Sequence, residues 1–441
     1  SAPFKRRRGP GVFHRGAGQL TSPRPRLVSR LFYAATRLAD RTLHRENPAP
    51  PERAPERLGH PTVARPRGCL LWLHVNNPAD AGCIAALTAE LSSLRDEPIF
   101  GLVTSSENAA TFSAVKDAAI HQLVPGDTKG SVRRFLDHWQ PDVAIFAGTP
   151  ERPVLLAETK TSKIPIFLAA SSDSPLFPAS KVTIPPVPIS DTFNAVLASN
   201  VLEKQALLHA GVDPSRIAVA GAIRDTALAP PCQDDQVAEL SAILGGRPVW
   251  LAADVSASEI PTLEAAQRRT IRAAHRLLLI IVPKDMDDGT AIAGSLETHG
   301  WRTALRSSGG IPDENVQVYI ADTGDSMGLW YRLSPITYLG GSFDPDLPTS
   351  DPFAPASLGS AILHGPEVSG AVPRIQRLQA SGASLVVKKT EELGDAVFSL
   401  LSPDKAALLA HAGWAITSEG APAVEALVNM ISRTLDGEEP I

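Results

Sequence analysis

Residues 338–366, YLGGSFDPDLPTSDPFAPASLGSAILHGP, read as a strand, a glycine turn, a proline-rich loop, a short helix and a second strand. Gly340 and Gly341 follow a short apolar run, so the backbone there can approach a ligand with no Cβ in the way. Residues 352–358 offer a helix N-terminus, whose free N–H groups and positive dipole end suit an anion. A unit of this kind builds a ligand site. Outward from it, apolar runs alternate with helical periodicity. Strands are predicted over 69–75, 98–104, 120–124, 143–147, 164–169, 195–199 and 217–220, with helices over 85–94, 107–119, 130–139 and 200–210. After Leu228-Ala229-Pro230-Pro231, read as a hinge, the pattern restarts with strands over 249–252, 277–282 and 316–320 and helices over 262–274 and 290–298. The fold class is therefore α/β: two Rossmann-like domains with parallel sheets facing one another across a cleft, with ligands at the strand C-termini. The expected division is a basic arm over 1–67, a first domain over 68–227, a hinge over 228–235 and a second domain over 236–441 that ends in a helix returning toward the first.

The composition, 43% hydrophobic and 20% charged over 441 residues, is that of a globular chain with sizeable cores. No apolar run approaches the roughly 20 residues that span a bilayer, and no start resembling a signal peptide is visible. Cys69, Cys83 and Cys232 are odd in number and lack metal spacing, which fits a reducing cytoplasm. The net charge of −5 hides an asymmetry: residues 1–67 carry fifteen Arg and Lys against four Asp and Glu. Within that segment Leu27, Leu31, Phe32, Ala35, Leu38 and Leu43 recur at helical spacing among arginines. Such a stretch lies on an anionic membrane surface or packs on its own domain. Nucleic acid is not an expected partner, because no aromatic residues interleave with the arginines of the arm.

Several fragments, taken in order, resemble the 3-deoxy-D-manno-octulosonic acid (Kdo) transferases of lipid A assembly. Gly340-Gly341-Ser342, Pro352, Pro355-Ala356 and Gly365-Pro366 match that family's GGS, GGHNPLEPAA and GP. Arg57-Leu58-Gly59 resembles its ERLG, Trp72-Leu73-His74 with Asp80 its WIHAVSVGE, and Arg224 the lysine of VTGNLKFD. Leu251-Ala252-Ala253 with Glu259 resembles ASTHEGEE, Pro283-Lys284 a Pro-Arg facing the donor phosphate, and Asp322-Thr323 the start of DTMGEL. The resemblance runs from about Arg57 to the C-terminus and implies the two-Rossmann glycosyltransferase fold, GT-B.

It further implies an inverting, metal-independent transferase without a cofactor, peripheral at the cytoplasmic face of the inner membrane, that moves Kdo from CMP-Kdo to lipid A or a related acceptor. Asp80 would be the general base. Donor binding would fall to Pro283, Lys284, Arg224, Gly324, Asp325, Ser326, Gly340, Gly341, Ser342, Asp351, Pro352, Phe353 and Ala354. The departures cut the other way. Asp80 stands for glutamate and shortens its reach by about one methylene. Asp351 stands for asparagine and puts a negative charge near a nucleotide phosphate unless Lys284 or Arg224 compensates. Ala354 stands for a glutamate that accepts from ribose hydroxyls, Ser171 for an arginine, and Gly324-Asp325-Ser326 for MGE. A non-catalytic paralogue acting as a membrane-surface binding or regulatory protein is the alternative, as is a transferase with an altered donor. His74 reads either as a structural histidine or as a catalyst, and residues 285–288 as a solvated acidic loop rather than a cation site.

Overall fold

A computed structural model describes residues 49–77, 80–106, 118–149, 151–171, 176, 192–227 and 229–441. The amphipathic stretch and the helix predicted over 107–119 lie outside them, apart from the last two residues of that helix. Two separate sheets of seven parallel strands form the framework. The first comprises β1 (Cys69–Val75), β2 (Ile99–Ser105), β3 (Ile120–Leu123), β4 (Val143–Ala147), β5 (Ile166–Ala169), β6 (Ala195–Ala198) and β7 (Ile217–Val219), in the spatial order 3-2-1-4-5-6-7. The second comprises β8 (Val249–Val255), β9 (Leu278–Pro283), β10 (Thr303–Leu305), β11 (Val318–Ile320), β12 (Ile336–Leu339), β13 (Ala361–His364) and β14 (Ser384–Val386), in the order 10-11-9-8-12-13-14.

The central strands show why the chain folds this way. All seven residues of β1 are buried, as a parallel strand covered on both faces requires. Successive side chains point to opposite faces: Cys69, Leu71, Leu73 and Val75 enter one core, Leu70 and Trp72 the other. In β8, Trp250 and Ala252 likewise separate from Val249, Leu251 and Ala253. The edge strands β10 and β14 were not legible in the sequence. Each is three residues long with no fully buried residue, too short to stand out from its surroundings.

Residues 51–67, expected to belong with the basic arm, are built into the first domain. Glu56 is wholly buried there, accepting from the Leu123 amide at 2.7 Å, from Arg53 at 2.7 Å and from Thr62 at 2.9 Å. At the other end of the chain, the helix Ala421–Leu435 leaves the second domain and packs on the helix Cys83–Leu94 and on β6. Its Leu427, Val428 and Ile431 complete the core of the first domain. Trp414 lies on the preceding helix, Pro403–Ser418, and is exposed; Trp330 and Tyr331 are buried in the second domain. Among the described residues no helix is long and apolar enough to cross a membrane.

Buried histidines make stability depend on pH. Nδ1 of His74 lies 3.2 Å from the Thr104 carbonyl oxygen, which can only accept, so Nδ1 carries the proton. Burial and the charge of Arg152 hold its pKa down to about 3 from an ordinary 6.5, with the Thr104 bond opposing. Burial and Arg53 hold His121 down to about 4, with Glu56 opposing. Both are neutral when folded and take up a proton near pH 6.5 when unfolded. The stability they provide is complete above pH 6.5 and is lost as pH falls, toward 4 for His121 and toward 3 for His74. Calorimetric Tm should therefore fall steadily below pH 6.5, and His74→Gln should make the dependence shallower by roughly 1.4 kcal/mol per pH unit.

Candidate functional site

In an open parallel sheet, ligands bind outside the strand C-termini where the chain order reverses. That switch point lies between β1 and β4 in the first sheet and between β8 and β12 in the second. At the first, the chain leaving β1 carries Asn76, whose Nδ2 donates to the Thr149 carbonyl at 2.9 Å, and then Asp80. Asp80 is wholly buried and accepts from Ser171 Oγ at 2.6 Å. Sequence had placed Asp80 and Ser171 as independent departures from a motif; the structure makes them partners. His74 is a structural residue, packed edge-on against Phe146 with ring centroids 5.4 Å apart.

At the second switch point the glycine turn is held by the protein's own backbone. A Cβ on Gly340 would lie 2.4 Å from the Asp254 carbonyl oxygen and 2.6 Å from that of Ala253. Gly341 has φ +75°, and its N–H donates to both carboxylate oxygens of Glu259 at 3.0 and 3.1 Å. Glu259 also accepts from the Tyr338 hydroxyl at 2.8 Å and the Ser256 amide at 3.0 Å. Ser342 is buried, donating to the Leu339 carbonyl at 2.6 Å and accepting from the Gly365 amide at 2.8 Å. Gly340 is needed for close approach of β8, Gly341 for its positive φ beside Pro348, and Ser342 ties the turn to the Gly365-Pro366 loop.

The helix expected to cradle an anion is one turn, Phe353–Ser357. The Phe353 amide donates to the Asp351 carboxylate at 3.1 Å, and Pro352 and Pro355 have no N–H to offer. The charge of Asp351 is balanced, though not by the residues expected. Arg374 Nη1 stands 2.7 Å from Asp351, whereas Arg224 pairs with Glu419 at 2.7 Å. Lys284 is exposed at the end of β9, directly after the buried Pro283. Asp325 is bonded by Arg306 and Thr323, and Ser326, after Gly324, donates to the Pro231 carbonyl and accepts from the Gly328 amide at 3.3 Å. The hydroxyl of Ser326 thus anchors the chain at Pro231. Ala354 packs beside the core that holds Tyr331.

The two switch points are coupled through Arg374 and Asp225. Arg374 donates to Asp225 through Nε and Nη2, both at 2.7 Å, a bidentate pair linking a helix of the second domain (Val372–Ala380) to the segment leaving the first. Arg374 and Arg377 stack on the buried Phe353 with their guanidinium carbons 4.8 and 5.0 Å from its ring centroid. Arg377 Nη1 also donates to the Asp225 carbonyl at 2.9 Å. On its far side Asp225 Oδ1 lies 1.9 Å from where a Cβ on Gly82 would stand. Gly82 caps the helix Cys83–Leu94 and follows Asp80 by two positions. Burial, then the charges of Asp80 and Asp225, push the Cys83 thiol well above its ordinary pKa.

A family model of 3-deoxy-D-manno-octulosonic-acid transferase (kdotransferase) matches residues 52–227. A protein of Arabidopsis thaliana named probable 3-deoxy-D-manno-octulosonic acid transferase, mitochondrial, is 26% identical over 366 residues, covering 79% of this chain and 81% of that one. The 3-deoxy-D-manno-octulosonic acid transferase of Haemophilus influenzae is 23% identical over 395 residues, covering 86% and 90%. The chain is similar to Kdo transferases over most of its length. Among solved structures, the C-terminal CMP-Kdo binding domain of WaaA from Acinetobacter baumannii aligns at 20% identity and a TM-score of 0.39, covering 42% of this chain and 98% of that one. Anabaena HepE in complex with UDP-glucose aligns at 13% identity and a TM-score of 0.34, covering 84% and 100%.

In this chain, residues quoted for the motif match largely serve the frame: Gly340, Gly341, Ser342 and Gly365 hold the turn. The residues that join the two crevices, Asp225, Arg374 and Arg377, were missed in the sequence. An Arg-x-x-Arg pair three apart on one helix face, following Gly365-Pro366, was the available signal.

Proposed function

We propose that this protein is a glycosyltransferase that moves Kdo from CMP-Kdo to lipid A or a related acceptor at the cytoplasmic face of the inner membrane. The reading rests on its Kdo transferase relatives. The observation that carries it is the Arg374–Asp225 pair, which joins the donor-side turn to the segment bearing Asp80. The first domain takes the acceptor, the second takes the nucleotide sugar, and the basic arm meets the anionic surface. Asp80 accepts the proton of the acceptor hydroxyl as that oxygen attacks the sugar, and CMP leaves with the electrons of the broken bond. Lys284 is the exposed cation beside the second crevice that remains for the phosphate. The reading requires Asp80 to exchange its bond to Ser171 for one to the acceptor.

The complete burial of Asp80 favours a second reading, in which the fold binds without transferring. Incubation of the purified chain with CMP-Kdo and a lipid A-type acceptor separates them. Release of CMP matched by a Kdo-bearing lipid is the result expected of the transferase; nucleotide binding with no transfer would sustain the second reading.

A further inference from the structure

The second switch point contains a carboxylate that no motif singled out. Asp254 sits at the C-terminal end of β8, where the register to β9 shifts between Ala252 and Val255. Its φ is +53°, a left-handed conformation that suits glycine and that other residues adopt at a conformational cost. Two other described non-glycine residues have positive φ, Gln140 and Lys163. Both follow helix C-termini, where the left-handed state is the ordinary way to end a helix. Asp254 alone among the described residues adopts it within a strand, and at the crevice where ligands of such sheets bind.

Its side chain is not used to hold the fold. No described residue donates a hydrogen bond to its carboxylate. Burial raises its pKa, with the charge of Lys284 opposing. Two other carboxylates near this crevice are already occupied, Asp351 by Arg374 and the Phe353 amide, and Glu259 by the Gly341 and Ser256 amides and the Tyr338 hydroxyl. Asp254 and Asp351 both lie close enough to the buried Tyr331 to push its hydroxyl pKa up, after burial itself. Ala354, which packs against the core that holds the same tyrosine, has no side-chain acceptor.

We propose that Asp254 accepts hydrogen bonds from the ribose hydroxyls of a nucleotide seated between β8 and β12. Its two carboxylate oxygens match a vicinal diol, and Lys284 on the neighbouring strand end faces the phosphate. The assignment rests on the nucleotide-donor reading above and adds to it the residue that recognises the sugar of the nucleotide.

Isothermal titration calorimetry on the full chain with CMP and with 2′,3′-dideoxy-CMP tests it. Wild type should prefer CMP by about ten- to hundredfold, the worth of hydrogen bonds to a charged acceptor. Asp254→Asn and Asp254→Gly should weaken CMP binding and bring the two ligands close to equal affinity. Because glycine relieves the left-handed backbone, the Tm of Asp254→Gly should equal or exceed that of wild type, which separates a lost contact from a lost fold. Discrimination retained in both variants would overturn the role of Asp254 and leave the nucleotide reading standing. Absence of CMP binding by wild type would overturn that reading and this one with it.

Discussion

Arg374→Met should lower stability by about 3 to 5 kcal/mol, the typical cost of breaking a buried ion pair from one side. Asp225 is 7% exposed, and both of its carboxylate oxygens are bonded to Arg374 at 2.7 Å. Methionine fills much of the same volume and keeps an apolar contact with Phe353, but it leaves Asp225 buried without its cation. It also frees Asp351, whose ion pair with Arg374 disappears. Because the lost bonds join the two domains, the calorimetric endotherm should shift downward and separate into two transitions. The double variant Arg374→Met/Asp225→Asn should recover part of the loss, since the uncompensated charge is gone. A single, unshifted transition in Arg374→Met would mean that the pair does not hold the domains together.

Asp80→Asn should reduce transfer by about 10² to 10⁴, the usual worth of a general base. Asparagine keeps an oxygen for Ser171 Oγ, so the local hydrogen bond at 2.6 Å has a counterpart and nucleotide affinity should stay within about twofold. Reach alone would suggest that Asp80→Glu preserves or improves activity. The packing argues otherwise. Asp80 is wholly buried, and an added methylene in such a site costs about 1 to 3 kcal/mol. Asp80→Glu should therefore lower the Tm, and any gain in reach would come at a cost in stability. Transfer at the wild-type rate by Asp80→Asn would remove Asp80 from the chemistry.

The framework was largely legible because its signal is strong and local. The seven buried residues of β1 and the apolar core of β8 stand out as runs that only a sheet covered on both faces can use. The turn at Gly340-Gly341 was visible for the same reason, as glycines after a strand mark close backbone approach. What the glycines approach was not visible: the neighbours are the carbonyls of Ala253 and Asp254 and the carboxylate of Glu259, from segments some 80 residues away in the chain. The balance of charge was misread as well. The family resemblance nominated Lys284 and Arg224 to offset Asp351, whereas the fold brings in Arg374 from a later helix. Asp254 escaped notice because a positive φ leaves no trace in sequence when the residue is not glycine or part of a turn motif. Arg374 and Asp225 lie 149 positions apart, and no local pattern connects them.

The central claim is that the second domain holds a working site for a cytidine nucleotide sugar. Calorimetric titration of the purified full chain with CMP-Kdo and CMP, set against UMP, UDP and GMP, tests it most directly. Saturable binding of CMP-Kdo and CMP, at least about tenfold tighter than that of the other nucleotides, is the predicted result. Equal, weak or undetectable binding of all five would contradict it.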